Sequence, residues 1–180
     1  SSNIGEVLAV FSTIFIGLPA PLTAIYMLII NTLTDLFPAL ALGVEPVEST
    51  ILDRPPRKPD SKIMEWPFIR RYLAVGVWIG SMTAVAFLGT LIADGWRFGQ
   101  HVDDDSLMYR DAATMAFAML TLIQMVHAFN CRSQTISVFR MKFFENLKLL
   151  LAVSSSMLVT VMLVQVPFFQ RYVKTTSLTP

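Results

Sequence analysis

The sequence is poor in charge. Only 15% of its 180 residues are Asp, Glu, Lys or Arg, while 54% are hydrophobic; an ordinary soluble domain carries about 25% charge. It also lacks an imbalance of sign. Lys and Arg number 14 and Asp and Glu 13, for a net charge of +1, so no basic excess marks a nucleic-acid partner. A single cysteine, Cys131, excludes an intrachain disulfide, and no cysteine–histidine cluster offers soft ligands to zinc or copper. Neither a fixed-period repeat nor a low-complexity tract is present.

What is present is long uncharged runs. The basic residues fall into four short stretches, and between them lie 72–93, 112–131 and 149–170 without a charge. A hydrocarbon core about 30 Å thick needs roughly 20 apolar residues of helix. A soluble bundle of this length would have too few neighbours to cover several helices that are apolar all round. The fold class is therefore an all-α, polytopic transmembrane bundle with about five membrane helices. A further run, Val7 to Thr34, is interrupted by Gly17-Leu18-Pro19-Ala20-Pro21, which reads as a tight turn between two helices. The expected helices are 1–17, 22–43, 68–93, 112–130 and 149–167. The chain opens at Ser1-Ser2-Asn3, without a methionine and already inside an apolar segment, which reads as a piece of something longer.

Orientation follows the Lys/Arg bias of the connections. Ten of the 14 basic residues lie in the segment after the second helix and in 131–148, and four on the opposite side. The loops 44–67 and 131–148 are thus expected in the cytoplasm, with 94–111 and a polar tail, 170–180, outside it. Short loops and a compact tail suggest a bacterial plasma membrane. Trp66 and Trp96 flank the third helix as interfacial aromatics.

Two acids stand apart from the loops, Glu6 and Asp35. A carboxylate at membrane depth costs roughly 2.5–3.5 kcal/mol on insertion scales and marks a functional site by default. Asn31, Thr34 and Asp35 are spaced i, i+3 and i+4, one face of a regular helix. Pro38, unable to donate an N–H, loosens the helix beside them. Asn3 lies three residues before Glu6, Gly5 allows a neighbouring helix to approach closely, and Gln124 falls mid-span in the fourth helix. Asn3, Glu6, Asn31, Thr34, Asp35 and Gln124 form an oxygen-only set of the kind Ca²⁺ takes. Spacing alone leaves Na⁺, Mn²⁺ and H⁺ open, and a hydrogen-bonded helix-packing cluster is the bland alternative.

Asn31-Thr32-Leu33-Thr34-Asp35, then Pro38-Ala39-Leu40-Ala41-Leu42-Gly43 and Asp53-Arg54-Pro55-Pro56-Arg57, resemble the sixth transmembrane helix and following cytoplasmic loop of P-type cation-transporting ATPases. Ser1-Ser2-Asn3-Ile4-Gly5-Glu6 resembles the fifth helix of the calcium pumps in that family. The resemblance covers 1–180 as a carboxy-terminal transmembrane segment, from within the fifth helix to just before the tenth. It implies that Asn31 and Asp35 match ligands of the calcium site most such pumps share. Asn3, Glu6 and Thr34 match ligands of a second site in the sarco/endoplasmic reticulum type, with Asp35 bridging both. Gln124 stands where that type has Glu, which puts two ions per cycle in doubt. Sodium/potassium pumps usually have Asp at the position of Asn31 and Pro at that of Gly5, so both residues lean toward calcium.

The resemblance further implies a transport segment for an ATP-driven cation pump, Ca²⁺ being the transported ion. Its partners are the lipid bilayer, the remaining transmembrane helices and the cytoplasmic domains of the parent pump. Nothing in 1–180 resembles the phosphorylated Asp-Lys-Thr-Gly-Thr motif or a nucleotide site, so ATP and Mg²⁺ belong to other parts of that parent. Asp53, Arg54 and Arg57 would couple the loop after the sixth helix to the phosphorylation domain. A P-type pump for Na⁺, Mn²⁺, K⁺ or H⁺, or a secondary carrier, is the alternative. Three lesser features read blandly. Asp103-Asp104-Asp105 is an exposed acidic loop, His127 an interfacial histidine, and Ser154-Ser155-Ser156 a run of small residues for close helix packing.

Overall fold

The computed structural model describes residues 2–45, 65–132 and 146–177. These form helices with no strand among them: α1 (Ser2–Phe15), α2 (Ala24–Ile29), a π turn (Ile30–Thr34), α3 (Leu36–Gly43), α4 (Trp66–Ala93), α5 (Leu107–Asn130), α6 (Leu147–Gln165) and α7 (Pro167–Val173). Four stretches are long and apolar enough to cross a membrane: Ala24–Gly43, α4, α5 and α6; α1 is a shorter apolar helix. Large apolar side chains such as Phe11, Leu28, Trp78, Val85 and Leu158 lie exposed along them, the outward face of a multi-pass membrane protein.

Local chemistry sets the helix ends. α1 stops at Gly17, whose φ of +81° suits a residue without Cβ. There Gly17 N–H bonds the Ile14 carbonyl at 2.9 Å and Leu18 N–H the Thr13 carbonyl at 3.0 Å, the Schellman arrangement. Hydroxyl or amide caps begin three helices. The Thr23 hydroxyl accepts from Tyr26 N–H at 3.3 Å, Ser106 Oγ from Tyr109 N–H at 3.1 Å, and Asn146 Oδ1 from Leu149 N–H at 2.9 Å.

Two expectations are corrected, and the tail is more structured than its polarity implies. α5 begins at Leu107, not 112, so part of 94–111 is helical; Arg110 and Asp111 fit in the first turns because that end is near water. Trp96 is a core residue, 8% exposed, its indole N–H donating to the Gln100 carbonyl at 3.0 Å, so only Trp66 stands exposed at a helix end. The polar tail is not free: Val166 breaks α6, α7 follows, and 174–177 fold back on the bundle. Thr175 Oγ1 donates to the Leu163 carbonyl at 2.5 Å, Thr176 N–H to Thr114 Oγ1 at 3.0 Å, and Tyr26 O–H to the Lys174 carbonyl at 3.2 Å.

α4 packs between α1 and α5, and α6 lies against the π turn, α3 and α5. The α1–α4 crossing is held close by a pair of glycines. A Cβ on Gly80 would lie 2.8 Å from the Gly5 carbonyl oxygen, and one on Gly5 2.7 Å from Ile79 Cγ2, so the near approach expected of Gly5 is present, with α4 as the neighbour. α5 is the most enclosed helix. Ala112, Ala116, Phe117 and Leu120 are fully buried, and Phe117 packs on Tyr26 with ring centroids 5.0 Å apart.

At the opposite end from the tail, α3, α5 and α6 are tied by polar side chains. Arg132 Nε meets Glu45 Oε1 at 2.8 Å, with only 4% of the Arg132 side chain exposed. Asn146 Nδ2 donates to Glu45 Oε2 and to the Ala41 carbonyl at 3.2 Å. Removing one partner of a buried pair strands the other charge.

Two outcomes follow from this packing. Gly80→Leu must push α1 from α4, at about 1–3 kcal/mol, and should lower the thermal unfolding midpoint of the full-length protein in detergent; an unchanged midpoint would mean that the crossing is loose. Arg132→Ala should destabilise by roughly 3 kcal/mol, and the same assay with Glu45→Ala added should show less than the sum of the two single losses.

Candidate functional site

The site is built around the Glu6 carboxylate. Glu6 is 5% exposed, lying on the α1 face that the glycine contact draws toward α4. Two amides from other elements hold its oxygens. Asn31 Nδ2, on the π turn, donates to Oε2 at 3.1 Å, and Gln124 Nε2, on α5, to Oε1 at 3.4 Å. Asn31 Nδ2 also donates to the Met27 carbonyl at 2.8 Å. Three elements thus converge on one carboxylate in a medium without water to solvate it.

Gln124 carries the site's loose end. Its Oε1 is buried and has no hydrogen-bond partner, although Gln124 is only 4% exposed. A buried acceptor left unmade costs about 1–3 kcal/mol, and such a group asks for a ligand.

The π turn changes which residues share a face. Asp35 N–H reaches back to the Ile30 carbonyl at 2.8 Å, five residues away, so this turn is wider than an α turn and rotates less per residue. The residue four positions on therefore aligns with Asn31, and the residue three positions on lags behind. Asn31 is exposed and Asp35 half-buried, whereas Thr34 is fully buried. The single face expected for Asn31, Thr34 and Asp35 is split. Thr34 turns inward, its hydroxyl donating to the Ile30 carbonyl at 2.9 Å, and its own carbonyl accepts from Ser156 Oγ at 3.0 Å.

Asp35 borders a cavity of about 380 Å³ together with Ser2, Arg71, Gln124, Asn130 and Cys131. Gln124 thus shares the cavity with Asp35 and donates to Glu6. His127 lines the same cavity, and its Nε2 lies 3.4 Å from Cys131 Sγ. Asn3 is on α1 but exposed. Asp53, Arg54 and Arg57 lie outside the described residues.

Glu6, Asn31 and Gln124 come together, Asp35 joins them through the cavity, and Asn3 and Thr34 do not. Ser156 escaped the sequence reading, which treated its serine run as packing; the available signal was Pro38, which frees a carbonyl one turn back for some donor to meet. Among the described residues no three of His, Cys, Asp and Glu converge; what gathers around Glu6 is one carboxylate and two amides.

The family description "Cation transporting ATPase, C-terminus" matches residues 19–180. The chain is 36% identical over its whole length to the Calcium-transporting ATPase of Bacillus subtilis, covering 19% of that protein. It is 34% identical, over 93% of its length, to Calcium-transporting ATPase 1 of Bacillus cereus, again covering 19% of the relative. With the Endoplasmic reticulum calcium ATPase srcA of Aspergillus fumigatus it shares 28% identity over 94% of its length, covering 20% of that protein. The chain spans about a fifth of the length of the curated relatives it matches. With all four helices of spanning length inside the matched residues, the chain belongs to the cation-transporting ATPases, as their carboxy-terminal membrane segment.

Proposed function

We propose that this chain is the transport segment of an ATP-driven pump that exports Ca²⁺. Glu6, Asp35, Asn31 and Gln124 form the core of the intramembrane ligand set, with Asn3 and Thr34 as outer members. The observation that carries the reading is the unpartnered Oε1 of Gln124 beside a buried carboxylate. In the described geometry the amides of Asn31 and Gln124 turn N–H toward Glu6. Rotation of each amide presents oxygen in place of nitrogen, so a cation entering beside Glu6 meets two carboxylates and two amide oxygens. Ca²⁺ takes 6–8 oxygens at 2.3–2.6 Å, and the remaining ligands come from outside 1–180. The exposed position of Asn31 suits completion by another helix of the parent pump. Gln124 supplies an oxygen without a charge, a set that favours one divalent ion over two.

The energy source lies elsewhere in the parent protein. ATP phosphorylates a domain outside this chain, and two conformations present the ligands to opposite sides in turn. The segments 44–67 and 131–148, which with Arg70 and Arg71 hold most of the Lys and Arg, face the cytoplasm, with 94–106 and the tail on the other side, and Asp53, Arg54 and Arg57 contact the phosphorylation domain. The membrane is a bacterial plasma membrane. The calcium assignment is supported by the oxygen-only ligand set and by the names of the relatives.

The test is ATP hydrolysis by the full-length protein in membranes, titrated separately with Ca²⁺, Mn²⁺, Na⁺, K⁺ and Mg²⁺. Micromolar Ca²⁺ should stimulate it, and Asp35→Asn should abolish the stimulation; a response to Na⁺ or K⁺ alone would overturn the calcium assignment. Gln124→Leu, which deletes the unpartnered oxygen, should raise the Ca²⁺ concentration for half-stimulation on the order of tenfold. An unshifted titration would remove Gln124 from the ligands.

A further inference from the structure

Pro38 has no N–H, so the Thr34 carbonyl loses the donor that an uninterrupted helix would supply from position 38. Thr34 is fully buried, which keeps water from taking that place. The donor comes instead from another helix: Ser156 Oγ, on α6, lies 3.0 Å from the Thr34 oxygen, and Ser156 is itself fully buried.

That bond departs from what a helical serine does by default, which is to donate to a carbonyl of its own preceding turn. Two other hydroxyls of α6 follow the default. Ser155 Oγ donates to the Ala152 carbonyl at 2.8 Å and Thr160 Oγ1 to the Ser156 carbonyl at 2.9 Å. Ser156 gives up the local bond and reaches across to the one carbonyl that Pro38 orphans. The contact falls on Thr34, the residue that the π turn swings inward while Asn31 and Asp35 stay aligned.

We infer that Ser156 is a positioning residue for ion binding: its hydroxyl replaces the N–H that Pro38 lacks and pins the π turn to α6, fixing the direction of Asn31 and Asp35. This rests on the transport reading above, at the same site, but not on which cation is carried. Ser156 touches no ion. It acts through the Thr34 backbone.

The test uses ATP hydrolysis by the full-length protein, titrated with whichever cation stimulates the wild type, so that an error in the ion's identity is read separately. Ser156→Ala should raise the half-stimulating concentration about tenfold while leaving the maximal rate within about twofold. Ser156→Thr keeps the hydroxyl and should stay near wild type, as should Ser155→Ala, which alters an exposed hydroxyl bonded within its own helix. The decisive arm is a double-mutant cycle with Pro38→Ala. Restoring an N–H at position 38 gives Thr34 a second donor, so Ser156→Ala should then shift affinity less than about threefold. An unshifted Ser156→Ala, or an equal shift in both backgrounds, would overturn the inference. A wild type that no cation stimulates would overturn it together with the transport reading.

Discussion

A carbonyl inside a membrane has no water to turn to, and this constraint organises the structure around residues 30–38. Regular helix would satisfy every backbone group internally, and Pro38 prevents that by removing one donor and crowding the carbonyl one turn back. The chain answers with a π turn, in which Asp35 N–H bonds the Ile30 carbonyl, and with a hydroxyl from α6 on the Thr34 carbonyl. The break brings Asn31 to Glu6 and Asp35 to the cavity without unwinding the span. Ala24–Gly43 remains long and apolar enough to cross, yet its middle presents Asn31 and Asp35 to the bundle rather than a continuous apolar cylinder.

The second requirement is that something meet those side chains, and α1 does so because of two glycines. Gly5 precedes Glu6, and its backbone lies so close to Gly80 that a Cβ on either would collide. Gln124 reaches Glu6 from α5, which packs on the same α4 that holds α1. The burial of the carboxylate is therefore a consequence of helix spacing, and its two amide donors compensate the desolvation that spacing imposes. The compensation is partial, because an amide that donates through nitrogen must leave its oxygen somewhere. For Gln124 that oxygen has no partner among the described residues.

Much of this architecture was legible in the sequence because it depends on quantities that residues carry individually. Uncharged length marks a span whatever it packs against, so the helices fall close to where charge counting puts them. Glu6, Asp35 and Gln124 stand out because polar groups in such spans are rare. What escaped depends on relations between elements. The inward turn of Thr34 required knowing that the helix widens there, and i+3/i+4 spacing assumes that it does not. The start of α5 at Leu107 was hidden because charges are excluded from a membrane's centre but not from a helix end near water. Trp96 looks interfacial by type and 174–177 a polar tail, and only the burial of Trp96 and the bonds from 174–177 to Tyr26, Leu163 and Thr114 show them to be built into the bundle.

The two ends of the bundle are held in different ways, with a consequence for movement. Around Tyr26, Tyr109 and the returning tail, the buried contacts are aromatic packing and neutral hydrogen bonds, spread over many partners, and the ion pairs of Arg110 and Lys174 go to the exposed carboxylate of Asp105. At the other end Glu45, Arg132 and Asn146 gather α3, α5 and α6 onto one ion pair, whose strength rests on a few groups in low dielectric. Between them the Asn31–Asp35 segment is secured to α6 through one carbonyl and to α1 through one amide. A segment anchored firmly at both ends and by single bonds in the middle has two discrete ways to move: an amide can rotate, or the hydroxyl can return to its own helix. Each withdraws a donor from an acceptor, the Glu6 carboxylate in the first case and the Thr34 carbonyl in the second, so inside a membrane either movement requires another group to take the vacated place.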